Sequence, residues 1–265
     1  MVLLALMQAN ARVLDVGANC ATLAAAAGAA VAEGAAVLVA PELFPVGYAP
    51  LRLRAELDPA GLPAIRETLS GIARRHGIAL VYSLPSVTDG GRWQITSTLV
   101  DATGAELLDY AKVHLFGAGE RAAFSPAEAR PAVVDFNGFR TSMVICYDVE
   151  FPEAVRAAAL AGAELLLVPT ALAHGFDTVP QVLLRARALE SQLTIAYANH
   201  SGTEDGCEFL GGSVIAGPDG SLLAAAGPAA EILYAEVDPD AAGIARDAVP
   251  YLRERRPELY RSWGI

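Results

Sequence analysis

Cys146 ends an apolar run in the segment SMVICYDVEFPEAVR, where a tight turn and a helix opening near Phe151-Pro152 should follow. Ligand sites of α/β sheets lie at the carboxyl ends of strands, and a cysteine there can meet free backbone N–H groups and the positive end of a helix dipole. Both would favour the thiolate. A buried cysteine also serves as a small hydrophobe, so position alone leaves nucleophile and packing residue open. Glu42 closes the run AAVLVAPELF. A carboxylate at the mouth of a buried strand is a general base whose pKa desolvation has raised, or a helix cap. Lys112 sits late in LLDYAKVHLFG, taken as a strand over residues 106–115. It is an edge-strand gatekeeper or a cation aimed at a developing oxyanion. Glu120, in the loop GAGERAAF, reads by itself as a solvated carboxylate.

Other chemistries find less support. There is no G-x-S-x-G, the string LGGSV has the wrong frame for a nucleophile elbow, and Ser83 and Ser213 lack a supporting pattern. The four histidines (His76, His114, His174, His200) are widely spread, with no H-x-x-x-H or C-x-x-C. No Walker loop occurs, and no G-x-G-x-x-G follows the first strand, so neither a metal nor a cofactor is expected.

The elements that must position these residues alternate between short apolar runs and Ala-rich helical stretches. Strands are expected over 2–7, 36–40, 78–83, 93–100, 106–115, 131–136, 140–146, 164–168, 194–199, 212–217, 221–226 and 232–237. Helices are expected over 15–33, 62–76, 151–161, 179–192 and 239–247. The turn DATG joins one pair of strands and Asn137-Gly138, the strongest short hairpin signal, another. Gly77 stops the second helix. Fully apolar strands such as LLLV point to sheets buried on both faces, with helices outside.

The chain has 265 residues, 54% hydrophobic and 18% charged, enough to bury a large core. No linker, low-complexity block or fixed-period repeat divides it, so one domain over 1–265 is expected. Its net charge of −11, from 19 Lys+Arg against 30 Asp+Glu, argues against nucleic acid and an anionic membrane surface as partners. The longest apolar stretch, Ala21 to Ala40, is broken by Gly28, Glu33 and Gly34, so no spanning segment is expected. The N-terminus MVLLALMQANARV reads as a first strand rather than a secretion signal. Three cysteines, Cys20, Cys146 and Cys207, without metal-like spacing suggest a reduced cytoplasm.

Taken in order, PELFPVGY, YAKVHLFGAGERAAF and ICYDVEFPEAVR resemble the three signature segments of the carbon–nitrogen hydrolase, or nitrilase, superfamily. The similarity extends to Gln8, PTALA, RARALE, YANH and PYLRERRPELY, nearly the whole length. The resemblance implies a four-layer αββα sandwich and pairing of two copies through the helix from Phe151 to Ala161 and the C-terminal tail, as a homodimer or larger assembly. It implies Cys146 as nucleophile forming a thioester, Glu42 as general base, Lys112 with the Tyr147 backbone N–H as oxyanion holders, and Glu120 as the glutamate that positions Lys112. A primary amide is a poor electrophile with a poor leaving group; a thiol, a cation and a carboxyl acid supply what its cleavage needs without a metal.

The same resemblance implies a pocket lined by Tyr48, Phe124, Tyr147, Asp148, Thr170, Ala171 and His174. CYDVEFPE is similar to amidases of small aliphatic or amino-acid-type amides, whereas nitrilases commonly have Trp-Glu after the cysteine. Glu150 stands where some branches carry an arginine, which favours a neutral or amine-bearing amide over an anionic one. Hydrolysis of N-carbamoyl or ureido compounds, nitrile hydrolysis, and an idle assembly role are the alternatives. Arg185, Arg187 and Glu190 are expected to form ion pairs that hold the scaffold, and Cys207 to be a loop thiol or packing residue.

Overall fold

The computed structural model describes residues 1–264. The first part of the chain runs β1 (Val2–Gln8), α1 (Val16–Ala32), β2 (Val37–Val39), α2 (Pro50–Glu56), α3 (Leu62–His76), β3 (Ala79–Val87), β4 (Trp93–Val100) and β5 (Glu106–Ala111). Then come α4 (Gly117–Ala123), β6 (Val133–Phe136), β7 (Phe139–Met143), a 3-10 turn (Cys146–Glu150), α5 (Pro152–Leu160) and β8 (Leu165–Pro169). A π turn (Val179–Leu183) leads into α6 (Leu184–Ser191) and β9 (Thr194–Ala198). β10 (Ser201–Glu204), β11 (Cys207–Leu210), β12 (Val214–Ala216), β13 (Leu222–Ala225), β14 (Glu231–Val237), α7 (Ala241–Ala248) and α8 (Pro257–Ser262) complete it.

Two six-stranded sheets, ordered β14-β1-β2-β3-β4-β5 and β13-β12-β9-β8-β7-β6, pack face to face, with β1, β2 and β3 meeting β8 and β9. At the centre of each sheet three strands are parallel: β1, β2 and β3 in one, β7, β8 and β9 in the other. These central strands are buried on both faces, which is why they read as unbroken apolar runs. Helices α1 and α3 pair outside the first sheet, and α5 and α6 outside the second, giving the αββα layering expected from the sequence.

Local chemistry explains the helices. Asp15 caps α1 by accepting from the Ala18 N–H at 3.1 Å, and Leu23, Ala26, Ala27 and Ala30 face the sheet. In α3, Ile65, Leu69, Ile72 and Ala73 are buried at helical spacing, each large one contributing about 1.5–3 kcal/mol by leaving water. Gly77, at φ +66°, ends that helix and donates to Ala73. The turn at Asn137-Gly138 has φ of +48° and +84°, as its sequence demands.

Five elements are additional to the sequence expectation. α2 follows Pro50 and buries only Leu53, too weak a stripe to register as periodic. α4 turns the expected loop around Glu120 into a two-turn helix. β10 and β11 form a hairpin whose Asp205-Gly206 turn, at φ +47° and +80°, is the same signal as Asn137-Gly138 and was legible in the sequence. The polar tail contains α8, whose Pro257 occupies the first turn. β5 also stops at Ala111, so Lys112 lies just past the strand rather than within it. Among the described residues no helix is long and apolar enough to cross a membrane.

Candidate active site

All the central residues except Glu120, which lies in α4, stand just beyond the end of a strand. Glu42 follows β2, Cys146 follows β7, Thr170 and Ala171 follow β8, and Lys112 follows β5. The carboxyl ends of the parallel strands of both sheets converge here, because the sandwich stacks β2 and β3 on β8. The Glu42 N–H donates across the sheets to the Thr170 carbonyl at 3.1 Å, while Thr170 itself donates to Ala198 at 2.9 Å. Lys112 N–H extends the ladder to Ile95 at 2.9 Å. Cys146 takes φ +47° at the start of its 3-10 turn, a conformation costly for a side-chain-bearing residue and one that frees the thiol from the strand's pleat.

The four residues singled out as catalytic candidates are brought together in a dry pocket. The side chains of Glu42, Lys112 and Glu120 are 0% exposed. Lys112 Nζ donates to Glu42 Oε1 at 2.7 Å and to Glu120 Oε1 at 2.8 Å, leaving its third N–H available. Glu120 Oε1 also accepts from the Tyr48 hydroxyl at 2.6 Å, and Oε2 accepts from the Phe116 N–H at 2.8 Å. Glu42 Oε2 is buried and makes no hydrogen bond among the described residues.

Burial pushes the Glu42 carboxyl up to about 7, against the pull of the Lys112 charge and with the help of Glu120. Burial alone would lower Lys112, but Glu42, Cys146 and Glu120 outweigh it and keep the ammonium charged. The Cys146 thiol is pushed up by burial and by Glu42; the Lys112 charge and the Ala171 N–H facing the sulfur oppose this without cancelling it. Against the thiolate expectation, desolvation and a neighbouring anion outweigh the Ala171 N–H and the Lys112 charge and shift the thiol toward its protonated form. Glu42 is a carboxylate in contact with that thiol.

The expected pocket residues divide. Tyr48, through its hydroxyl on Glu120, belongs to the cluster. Its phenol is held well above the usual range by burial and the carboxylates, so it stays a neutral donor. Phe124 and Tyr147 line a crevice of about 520 Å3 together with His114, Leu115, Arg121 and Phe151, a lining that includes none of the four central residues. Tyr147 packs edge-on against Phe116 at 5.2 Å and Phe151 at 4.9 Å.

Asp148 has a different task. Its fully buried carboxylate accepts from the Tyr110 hydroxyl at 2.9 Å, the His114 N–H at 2.8 Å and the Ile145 N–H at 3.3 Å, and lies 2.8 Å from His114 Nδ1. It braces the nucleophile turn from within and has no face left for substrate. His174 is exposed and lines another cavity, of about 560 Å3, with Arg185, Leu210 and Pro228, none of the four central residues being part of that lining. The loop after β8 turns away at Leu172, whose N–H and C=O are both held by the Asn199 side chain.

Residues 3–247 match the family model described as carbon-nitrogen hydrolase. The chain belongs to the carbon–nitrogen hydrolase family. The crystal structure of an amidase from Nesterenkonia sp. superposes on this hydrolase with a TM-score of 0.92 at 45% identity, covering 99% of this chain and 96% of the other. A mutant of that amidase from strain AN1 shows Michael addition of acrylamide at its active-site cysteine, and another is in complex with butyramide. A hydrolase encoded in the pqqF 5′ region of Pseudomonas protegens is 40% identical over 257 residues, 97% of this chain and 90% of its own length. The 2-oxoglutaramate amidase of Bacillus subtilis is 31% identical over 224 residues, 84% of this chain and 86% of its own.

Sequence reasoning anticipated one support of this hydrolase's site and missed another. Arg187 donates to the carbonyls of Val149 at 3.2 Å and Glu150 at 2.7 Å, holding the nucleophile turn, and pairs with Glu190 at 3.0 Å. That much of the expected ion-pair group forms; Arg185 instead donates to the Gly220 carbonyl at 2.8 Å. His200 and Glu204, fully buried beside Glu42, went unnoticed, because YANH and the later glutamate carry no spacing signal until the β10–β11 hairpin folds. Cys207 lies half-buried on β11 rather than in a loop.

Proposed function

We propose that this protein is an amidase that hydrolyses small neutral or amine-bearing carboxamides to the carboxylic acid and ammonia, the chain acting as one catalytic domain. The observation that carries the reading is a buried ammonium held between two carboxylates beside a buried cysteine. Glu42, as carboxylate, takes the Cys146 proton while the sulfur attacks the amide carbon. The tetrahedral oxyanion meets the third N–H of Lys112 and the backbone N–H of Tyr147. As the C–N bond breaks, Glu42 returns the proton to the nitrogen and ammonia leaves a thioester. Glu42 then takes a proton from water, hydroxide adds to the thioester, and the carboxylic acid departs as Cys146 regains its proton. Glu120 fixes the direction of Lys112 and is itself fixed by Tyr48 and the Phe116 N–H.

Acrylamide and butyramide on the Nesterenkonia amidase support a small acyl group. Ala171 supports the reading through its N–H on the sulfur, and Thr170 through its carbonyl on Glu42. All three cysteines are unpaired, which suits the reducing cytoplasm. Exposed Leu160 on α5 and Leu189 on α6 support pairing of two copies through these helices. The test is ammonia release from propionamide, butyramide and amino-acid amides, with an acyl adduct on Cys146 sought by mass spectrometry. Absence of ammonia and adduct across the panel rejects the reading, and turnover confined to carbamoyl compounds or nitriles moves it to those substrates.

A further inference from the structure

His200 and Glu204 form an ion pair with both side chains fully buried, and the proposed reaction uses neither. His200 Nδ1 lies 2.7 Å from Glu204 Oε1, and Nε2 lies 2.6 Å from the Glu42 carbonyl oxygen. A carbonyl oxygen and a carboxylate both accept, so each ring nitrogen faces an acceptor. The ring is held flat against Phe209 at 4.8 Å and near Phe44 at 5.7 Å. Burial alone would raise the Glu204 carboxyl, but His200 and the N–H groups of Tyr48 and Ala11 hold it below its usual range. Its Oε1 accepts from Ala11 at 2.8 Å and its Oε2 from Tyr48 at 2.7 Å.

The pair therefore grips one loop at two points, the carbonyl of Glu42 and the N–H of Tyr48. Between them Leu43 is strained at φ +55°, and Gly47, at φ +77°, passes so close to Val13 that a Cβ would come within 2.6 Å of its Cα. Such conformations persist only where the surroundings over-determine them. The two gripped residues are the ones whose side chains reach Lys112, Glu42 directly and Tyr48 through Glu120.

We infer that His200 and Glu204 are positioning residues that clamp both ends of the strained Glu42–Tyr48 loop and so hold the base and the Tyr48–Glu120–Lys112 chain in register with Cys146. The inference rests on the reading of Glu42 as base. It concerns geometry, so its mark is a fall in kcat at steady KM, with recovery when a donor to the Glu42 carbonyl is restored.

The experiment compares His200→Phe, His200→Gln and Glu204→Gln with the parent, measuring butyramide hydrolysis, thermal unfolding and the iodoacetamide alkylation rate at Cys146 by peptide mass spectrometry. His200→Phe keeps a ring without donors; kcat should fall about 100-fold with KM within about threefold, the scale set by a displacement of roughly 1 Å in a reacting group. His200→Gln, whose amide can reach the Glu42 carbonyl, should recover about tenfold of that loss. Glu204→Gln turns an NH2 toward the Tyr48 N–H and should lower kcat about tenfold. A folded His200→Phe protein with parental kcat overturns the inference, as does an equal loss in the Phe and Gln variants. If His200→Phe does not fold, Glu204→Gln decides: parental kcat overturns, a kcat loss at steady KM supports. A parent inactive on every amide would instead sink the functional reading. The alkylation rate would still report on the clamp, a change of about threefold or more supporting it and an unchanged rate overturning it.

Discussion

Two buried carboxylate–cation clusters lie side by side in this protein, and they are built to opposite rules. Around Lys112, one ammonium faces two carboxylates, and Glu42 Oε2 is left without a hydrogen bond. Around His200, one ring faces one carboxylate, and both Glu204 oxygens are occupied by N–H donors. The electrostatic result follows the count of partners. Glu42 is raised to about 7 because burial and Glu120 outweigh Lys112. Glu204 is lowered because His200 and two backbone donors outweigh burial. An oxygen left without a partner goes with a carboxyl raised toward neutrality, and two partnered oxygens go with a lowered one.

The contrast can be broken most severely at Cys146. Replacement by Ala should abolish ammonia release while the protein still folds, as circular dichroism and the release assay together would show. Lys112→Ala comes next, because it leaves Glu42 and Glu120 buried without their cation. Removing one partner of a buried ion pair costs about 3–5 kcal/mol, readable as a shifted urea midpoint, and activity should vanish with it. Parental stability in that variant would mean that Lys112 compensates nothing. Glu42→Gln should lower kcat about 10²- to 10⁴-fold, the range for a general base, yet leave the fold intact. Tyr48→Phe removes a single hydrogen bond to Glu120, worth about 0.5–1.5 kcal/mol, and should lower kcat by about tenfold or less.

The pH response sharpens the comparison further. Because Glu42 binds its proton more tightly folded than unfolded, its contribution to stability is present below 4.5 and is lost as pH rises toward about 7. Activity should run the other way, since the base works only once ionised, so kcat/KM should fall as pH drops through about 7. Glu204 has the reverse sign: its stabilisation is present above 4.5 and is lost as pH falls through its lowered pKa. Thermal unfolding of Glu42→Gln should therefore be flatter than the parent between pH 4.5 and 7, and that of Glu204→Gln flatter below pH 4.5. Identical profiles for the two variants would erase the distinction.

Much of this was written along the chain. The buried central strands, the amphipathic α3 with its Gly77 stop and the Asn137-Gly138 turn follow from local rules, and each sits where those rules put it. Cys146, Glu42 and Lys112 stood out because each polar residue ends or interrupts an apolar run. Glu120 did not, since only the packing of α4 beneath Lys112 removes it from water. Asp148 lies in the nucleophile turn like a pocket residue, yet its carboxylate is turned inward to Tyr110 and His114. The loop carrying His174 follows β8 directly, yet its exit at Leu172 carries that ring into a different cavity.

The amino-acid order by itself determined the periodicities, the turn chemistry and the reactive groups at strand ends, because these depend on neighbours within a few residues. Only the stacking of the two sheets decided which of those groups share a cavity, and therefore their charge states. Desolvation and Coulomb interactions act across space: Glu42 and Lys112 are 70 positions apart, and Glu42 and His200 are 158 apart, yet each pair is in hydrogen-bond contact. The raised carboxyl of Glu42, the raised thiol of Cys146 and the His200–Glu204 contacts behind them exist only once those distances close.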